Sequence, residues 1–332
     1  MKILVTGAAG FIGSNLAAEL LHRGHTVVGF DNLSQGTMLN LAAIEDHAQF
    51  SLHRADVREA PAVAEAAAGC DAIVHLAAYK IPRYTDAYDT LMINGLGSEI
   101  VAQTAAKTGA KIVAASTSDA YGKNPSPPFS EEMDSVIGNP HVKRWAYAVS
   151  KMFEEQLLFA CHERFGVDVV ILRFFGGYGP NQALSWWGGP QAVFIEKALD
   201  SEPIPLHGDG SQTRSFTYVS DHVAGIVAAV ESDRANNLVV NIGSEEEISI
   251  RDLAVMIWRL VHGEESEPRV ELIPYESFGK YEDVMRRVPD ITRARELLGF
   301  EPKVGLEQGL RDTIRWQIER RAVQPAREPD QA

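Results

Sequence analysis

In the segment YAVSK, Tyr147 precedes Lys151 by four residues. On a helix that spacing puts both side chains on one face. A phenol with an ordinary pKa near ~10 is a poor base at neutral pH. A neighbouring ammonium favours the phenolate, so the pair reads as a general base and the cation that tunes it. Such pairs also occur on ordinary helices, and the preceding segment gives this one its meaning. An apolar run ends in STSDAYG, where Ser116, Thr117 and Ser118 bring hydroxyls to the carboxyl edge of a strand. Open α/β sheets bind ligands at that edge. A hydroxyl there can hold the substrate oxygen that Tyr147 deprotonates.

A second signal lies at the amino terminus. The first apolar run continues into TGAAGFIG, with Gly7, Gly10 and Gly13, and then into a helical pattern. Glycines allow a tight turn and let backbone approach a pyrophosphate, and the helix start offers free N–H groups. Relative to G-x-G-x-x-G, one extra residue separates the first two glycines. Asp31 ends the next strand, near the ~20-residue offset of a carboxylate that accepts hydrogen bonds from an adenosine ribose. A carboxylate there repels the 2′-phosphate of NADP, so the expected cofactor is NAD. Asp56, in RADVRE after the third strand, is placed to bond the adenine amino group.

These groups need a scaffold. Lys2–Val5, Thr26–Phe30, Ala72–His75, Lys111–Ala115 and Val167–Leu172 read as buried strands. Gly13–Arg23, Glu59–Ala68, Ile93–Thr108 and Trp145–Arg164 read as helices between them. Such alternation predicts an α/β fold, a doubly wound parallel sheet of the Rossmann kind. After Arg173 the stretch FFGGYGPNQALSWWGGP breaks the pattern and starts a second, smaller α/β substrate domain. Later helices are expected at Gln191–Leu199, Ser220–Val230, Ile250–Val261 and Leu306–Glu319. The expected division is 1–175 for the dinucleotide domain, with 213–242 returning to it, 176–320 for the smaller domain, and 321–332 as a loose tail.

The 332 residues, 45% hydrophobic, suffice for a large core, and the net charge of −14 argues against a general nucleic-acid binder and gives no basic face for an anionic membrane. Cys70 and Cys161 form no CxxC pair, so neither a disulfide framework nor a metal site is expected. No leader and no membrane span is read, which makes the expected location cytoplasmic.

The segments TGAAGFIG, DNLSQG, HLAA, STSDAYG, YAVSK, RFFGGYGP and GDGSQTRSFTYVSD follow one another as in the NAD-dependent epimerase/dehydratase family of extended short-chain dehydrogenases, which residues 2–316 resemble. The resemblance implies tightly held NAD, a UDP- or dTDP-sugar substrate, transient oxidation at sugar C4, and a homodimer built through two helices per subunit. It marks Thr117 as the active-site hydroxyl, Tyr147 as the base and Lys151 as its partner. Around the cofactor it places Gly7, Gly10, Phe11, Ile12, Gly13, Asp31, Asn32, Ser34, Gly36, Asp56, Val57, Leu76, Ala77, Ala78, Lys80, Asn94, Ser116 and Phe174, with Tyr147 and Lys151. Around the sugar nucleotide it places Lys80, Ser118, Asp119, Tyr147, Gly176, Gln191, Val193, Phe194, Leu206, His207, Arg214, Tyr281, Asp283 and Arg287. Arg214 resembles the arginine that meets the substrate diphosphate.

Departures from the family pattern narrow the reaction. The 4,6-dehydratases carry Asp-Glu after the threonine, where this chain has Ser118-Asp119. UDP-glucuronate decarboxylases show Thr-Ser-Glu, one methylene longer than Thr117-Ser118-Asp119. The segment GKYEDVMRRVPDI resembles those decarboxylases, with Tyr281 and Arg287 matching a substrate-contacting tyrosine and a catalytic arginine, but similar endings occur in 4-epimerases. Gly176 stands where the family usually has Asn. Trp186 and Trp187 either reshape the sugar pocket or pack a domain junction. The leading expectation is a UDP-sugar 4-epimerase acting on UDP-glucose, UDP-glucuronate or their galacto forms, with Ser118 and Gly176 leaving room for the sugar to turn. The alternative is a UDP-glucuronate decarboxylase; a 4,6-dehydratase and a non-catalytic NAD sensor stand behind both.

The carboxylate at position 31 sets a measurable expectation. The purified protein binds NAD and discriminates strongly against NADP in a titration of both. Equal affinities would remove the argument from Asp31.

Overall fold

The apolar runs of the first half become parallel strands because each is apolar on both faces. A computed structural model describes residues 1–80 and 87–323. Its first strands are β1 (Lys2–Thr6), β2 (Thr26–Phe30), β3 (Phe50–His53), β4 (Ala72–His75), β5 (Lys111–Thr117) and β6 (Val169–Phe174). The helices among them are α1 (Phe11–His22), α2 (Ala60–Ala66), α3 (Ala87–Thr108) and α4 (Trp145–Phe165). Successive strand residues point to opposite faces. Ile3, Val5, Val74 and Val113 thus pack with Leu16 and Leu20 of α1. Leu4, Ile73, Ile112 and Ile171 pack on the other face with Val101 and Leu158 of α3 and α4. Full burial of each such aliphatic side chain contributes roughly 1.5–3 kcal/mol.

Several boundaries differ from expectation in ways that matter for the site. α1 starts at Phe11, directly after Gly10, so the glycine turn abuts its N-terminus. β5 runs two residues further than expected and carries Thr117 at its end. α3 starts at Ala87 rather than Ile93.

Beyond Phe174 the chain forms β7 (Gly177–Tyr178), α5 (Pro190–Leu199), β8 (Ile204–His207), β9 (Thr213–Ser215), β10 (Thr217–Tyr218), α6 (Val219–Glu231) and β11 (Leu238–Ile242). It continues through β12 (Glu247–Ser249), α7 (Ile250–His262), β13 (Val270–Ile273), β14 (Arg286–Arg287), α8 (Thr292–Leu298) and α9 (Leu306–Val323). The large sheet has the order β11-β6-β5-β4-β1-β2-β3. Its order reverses between β1 and β4, and a crevice opens at such a switch point.

β11 pairs with β6, and α6 lies on α1, so this part of the chain is in the large lobe. The return is not uniform over 213–242, because β9 pairs with β12 and β14 in the small lobe. Conversely α8, expected in the small lobe, packs against β11 and α6. The small-lobe core joins Phe194, Leu206, Leu253, Ile257 and Leu310. Its helix α7 is capped by Ser249, whose Oγ accepts the Asp252 N–H at 3.0 Å. Residues 321–323, expected in the tail, close α9; the rest of that tail lies outside the described residues.

α3 and α4 pack side by side and turn an apolar face outward. Leu91, Leu96, Val149 and Phe153 are exposed there, Phe153 by 52%. Cys70 and Cys161 are buried free thiols. No described helix is long and apolar enough to cross a membrane.

Candidate active site

The turn after β1 is built by steric exclusion. Gly7 has φ +72°, and a Cβ there would lie 2.9 Å from the Ala77 nitrogen after β4. A Cβ on Gly13 would lie 2.1 Å from the Gly7 carbonyl oxygen. Only glycine lets α1 start this close to the strand. A Cβ on Gly10 would meet Gly7 O alone, at 3.2 Å, so its outer side is open for a ligand. Phe11 and Ile12, half-buried, begin the helix. Gly36 packs on Ala9, where a Cβ would come within 2.8 Å.

Asp31 closes the far side of this turn. Its carboxylate accepts the Ala9 and Leu33 N–H groups at 2.9 and 2.8 Å. Burial pushes its pKa up, and the two amides work against the rise. Asn32 Oδ1 accepts the Ser34 N–H at 3.0 Å, and Asn32 Nδ2 donates to Asp56 at 2.9 Å. Asp56 is also gripped by Arg58 at 2.8 and 2.9 Å, which carries its pKa down to about 2 against a smaller opposing effect of burial. The neighbouring Val57 is buried. Leu76 and Ala77 donate their N–H groups to Thr6 Oγ1, each at 3.2 Å, which fixes the turn leading to Ala78 and exposed Lys80. An open glycine turn at a helix N-terminus, beside a carboxylate at the next strand end, fits a dinucleotide without a 2′-phosphate.

The residues expected to react lie on β5 and α4. Thr117 Oγ1 accepts the Asp119 N–H at 3.1 Å and caps a short 3-10 turn, Ser118–Tyr121. Tyr147 is half-buried on α4. Burial raises its pKa, and the charges of Asp119 and Glu154 raise it further. Lys151 is 2% exposed, and its Nζ donates to Glu154 Oε2 at 2.6 Å. Asn94 ties this helix to the turn after β4. Its Oδ1 accepts the Tyr79 N–H at 2.7 Å, and its Nδ2 donates to Tyr79 O and Ser150 Oγ at 3.1 and 2.9 Å. Phe174, at the end of β6, packs on His222 with ring centroids 4.8 Å apart. Ser116, expected beside the cofactor, is buried, and its hydroxyl donates to Glu155. Glu155 in turn holds Arg173 at 2.9 and 2.7 Å.

Across the crevice the small lobe presents charge. Arg287 Nη2 pairs with Asp119 Oδ1 at 2.7 Å, and Arg144 Nη2 reaches the same oxygen at 3.4 Å. Arg214 Nη2 pairs with Asp283 Oδ1 at 2.9 Å, and Arg144 Nη1 approaches it at 3.4 Å. Burial works against the Asp119 carboxylate, but Arg287, Arg144 and Arg214 outweigh it and hold the pKa below the usual range. Asp283 is half-buried, and although this desolvation works against its charge, Arg214 and Arg144 bring its pKa down to about 2. Tyr275 donates to Asp283 at 2.8 Å, its ring stacks on Tyr281, and Arg144 lies over the Tyr281 ring. Sequence reasoning passed over Arg144. Its place three residues before Tyr147, one helical turn back toward the site, was the available signal.

Other expected substrate contacts divide. His207 stacks between Trp186 and Phe278, with centroids at 4.7 and 4.4 Å. Trp187 meets Tyr79 edge-on at 5.3 Å, so it packs between the lobes. Gln191 is buried, and its Nε2 has no hydrogen-bond partner among the described residues. Val193 is also buried, and Phe194 and Leu206 are sealed in the small-lobe core, so the side chains of these last two cannot line a pocket wall. Gly176 is exposed, but the direction in which its side chain would point is filled. A Cβ there would lie 2.8 Å from the Phe216 ring, so the side chain the family usually places at this position has been replaced by an aromatic one from β9's end.

Comparison with known proteins bears on this geometry. The sequence profile of the "NAD dependent epimerase/dehydratase family" matches residues 3–243. The chain is 36% identical over 319 residues to a UDP-N-acetyl-alpha-D-glucosaminuronate decarboxylase of Bacillus cytotoxicus, covering 95% of this chain and 97% of that one. It is 37% identical over 317 residues to UDP-glucuronic acid decarboxylase 1 of Xenopus tropicalis, covering 95% and 72%. Among solved structures it is similar to UDP-glucuronic acid 4-epimerase from Bacillus cereus in complex with UDP-glucuronic acid and NAD, with TM-score 0.87, 29% identity and coverage of 96% and 99%. The chain therefore belongs to the NAD dependent epimerase/dehydratase family, whose members are NAD-binding enzymes that modify nucleotide sugars.

Proposed function

We propose that this enzyme is an NAD-dependent UDP-hexuronate decarboxylase, acting on UDP-glucuronate or its 2-acetamido counterpart. The observation that carries the reading is the 2.7 Å pair between Asp119 and Arg287, flanked by Arg144 beside Tyr147. The side chain of Asp119, one methylene short of the glutamate in the decarboxylase pattern, nonetheless reaches its arginine. Two further observations support decarboxylation over the leading sequence expectation of 4-epimerisation. At Gly176, expected with Ser118 to leave room for a turning sugar, the side-chain direction is filled by Phe216. The relatives named as decarboxylases are 36–37% identical over 95% of this chain, against 29% for the epimerase structure.

The chemistry follows from the side chains. Tyr147 takes the proton of the C4 hydroxyl, Thr117 holds the same oxygen, and the Lys151 cation favours the phenolate. When bound, NAD supplies the hydride acceptor at C4 and the hydride donor at the end. A ketone at C4 makes the sugar a β-keto acid, whose C5–C6 electron pair can move into an enolate as carbon dioxide leaves. Tyr147, now protonated, and Thr117 donate to the enolate oxygen. Arg144 and Arg287 orient the carboxylate. Asp119, kept ionised by Arg287, sets a like charge against it, and departure as a neutral molecule relieves that repulsion. Solvent then supplies the proton at C5. We assign Arg214, on the small lobe, to the diphosphate.

The apolar face of α3 and α4 also needs a partner. We assign it to a second copy of this chain, since exposed Leu91, Leu96, Val149 and Phe153 form one continuous patch beside the helix that carries Tyr147.

Three outcomes are expected. Incubation with UDP-glucuronate or its 2-acetamido counterpart releases carbon dioxide and gives a UDP-pentose or its 4-keto form by NMR, with Asp119→Asn and Arg287→Ala each slowing turnover by about 10²-fold or more. Formation of UDP-galacturonate without carbon dioxide would instead establish the epimerase. Tyr147→Phe lowers turnover by ~10²–10⁴-fold while NAD binding persists; near-normal turnover would remove Tyr147 as the base. In sedimentation, the wild-type protein runs as a dimer and Phe153→Glu as a monomer, whereas an unshifted variant would clear this face of that role.

A further inference from the structure

Glu154 stands one turn beyond Lys151 on α4, facing inward toward β4 and α3. It and Lys151 are both 2% exposed by side chain, and their 2.6 Å contact joins a full pair of charges away from water. Glu154 is the one hydrogen-bond partner of Lys151 Nζ among the described residues. The other carboxylate oxygen, Oε1, accepts no hydrogen bond there and lies 3.9 Å from His75 Nε2. A buried carboxylate with one bare oxygen is costly, and it calls for a function.

The groups around Glu154 determine its charge. Lys151 faces it from its own helix, His75 from β4 and Ser98 from α3. Glu155, next along the helix, is tied to Arg173 at 2.7 Å. The Thr6 hydroxyl accepts the Leu76 and Ala77 N–H groups, which leaves its own hydrogen for His75 Nδ1 at 2.8 Å. Burial and the Lys151 cation keep this imidazole neutral, its pKa falling to about 3. The ring proton is therefore on Nε2, directed toward Ser98 Oγ at 3.4 Å and toward Glu154. Burial pushes the Glu154 pKa up and Glu155 adds to the rise, while the Lys151 ammonium and the Ser98 hydroxyl work against it; no second cation shares Glu154 among these neighbours, so its negative charge depends on Lys151.

Tyr147 lies on the same helix and needs the field of that lysine. A cation bonded to an anion acts at a distance as a dipole, and most of its field is cancelled. The charge of Asp119 also acts on Tyr147, and that charge is shared with Arg287 and Arg144. We propose that Glu154 is a positioning residue that holds Lys151 and offsets its charge, so that the pH at which Tyr147 becomes a base is set by this buried carboxylate. The proposal rests on the reading of Tyr147 as the base. Its direction is fixed: removing the anion exposes the ammonium, favours the phenolate and moves the ionisation to lower pH.

The test uses the NAD-loaded enzyme and two readouts, the ultraviolet difference titration of tyrosinate and the pH dependence of kcat/KM, with Tyr147→Phe as the blank. In Glu154→Gln, which keeps an oxygen to accept from Lys151, the Tyr147 ionisation and the acid limb of the rate profile both move down by about one pH unit or more. Glu154→Met, apolar and of similar length, moves them the same way and serves should the glutamine variant not fold. A thermal melt identifies which variants are folded. An unmoved or upward midpoint in a folded variant overturns the role of Glu154. A wild-type titration indistinguishable from Tyr147→Phe overturns the assignment of Tyr147 itself, and the proposal with it.

Discussion

The close approach of backbone to backbone at the sheet's switch point governs this molecule. Gly13 sits where any Cβ would strike the Gly7 carbonyl, and Gly7 where any Cβ would strike Ala77. No side chain separates β1, the start of α1 and the turn after β4. That contact aims the N–H groups of α1 at the crevice, brings Asp31 to its rim, and sets the height of the turn that Asn94 then fastens to α4. The Tyr147–Lys151 face inherits its position from this chain of contacts. A methyl group at either glycine would force movement of rigid backbone, which is why overpacking here would cost more than the roughly 1–3 kcal/mol common in cores.

The second lobe is held by different physics. Its own core is apolar, but it meets the first lobe at the crevice through charges: three arginines against Asp119 and Asp283. Breaking a buried pair of this kind on one side costs several kcal/mol, while the complete pair contributes little net stability. Such a network is suited to a crevice that must accept a charged ligand. The guanidinium groups already have anionic partners at the distances a carboxylate or phosphate would occupy, so an incoming anion meets donors that are in place.

Much of this was legible in the sequence. Strands with two apolar faces, the glycine turn, Asp31 and the YAVSK helix are local signals, each within a few residues of its consequence. What was not legible depends on pairings distant in sequence. The sealing of Phe194 and Leu206 depends on α7 and α9, and the filling of Gly176 by Phe216 depends on the path of the chain forty residues later. Ser116 read as a ligand hydroxyl because its strand end is a ligand edge, but the pair it supports, Glu155 and Arg173, is formed only when β6 lies beside β5. Arg144 was missed because its one signal, its place a turn before Tyr147, gains meaning only from Asp119 and Asp283, which approach from two other elements.

The two-residue strand β14 consists of arginines only. Its residues alternate in direction: Arg286 turns outward to Glu247 at 2.8 Å, and Arg287 turns inward to Asp119 at 2.7 Å. β14 lies alongside β9, with Arg287 opposite Arg214. A slip of one residue along that edge would reverse every direction. Here it would carry Arg286 into the inward place, and a guanidinium would still face the crevice. The doubled arginine thus keeps a cation on this wall of the site for a slip in one direction, whereas a slip in the other would bring Val288 inward.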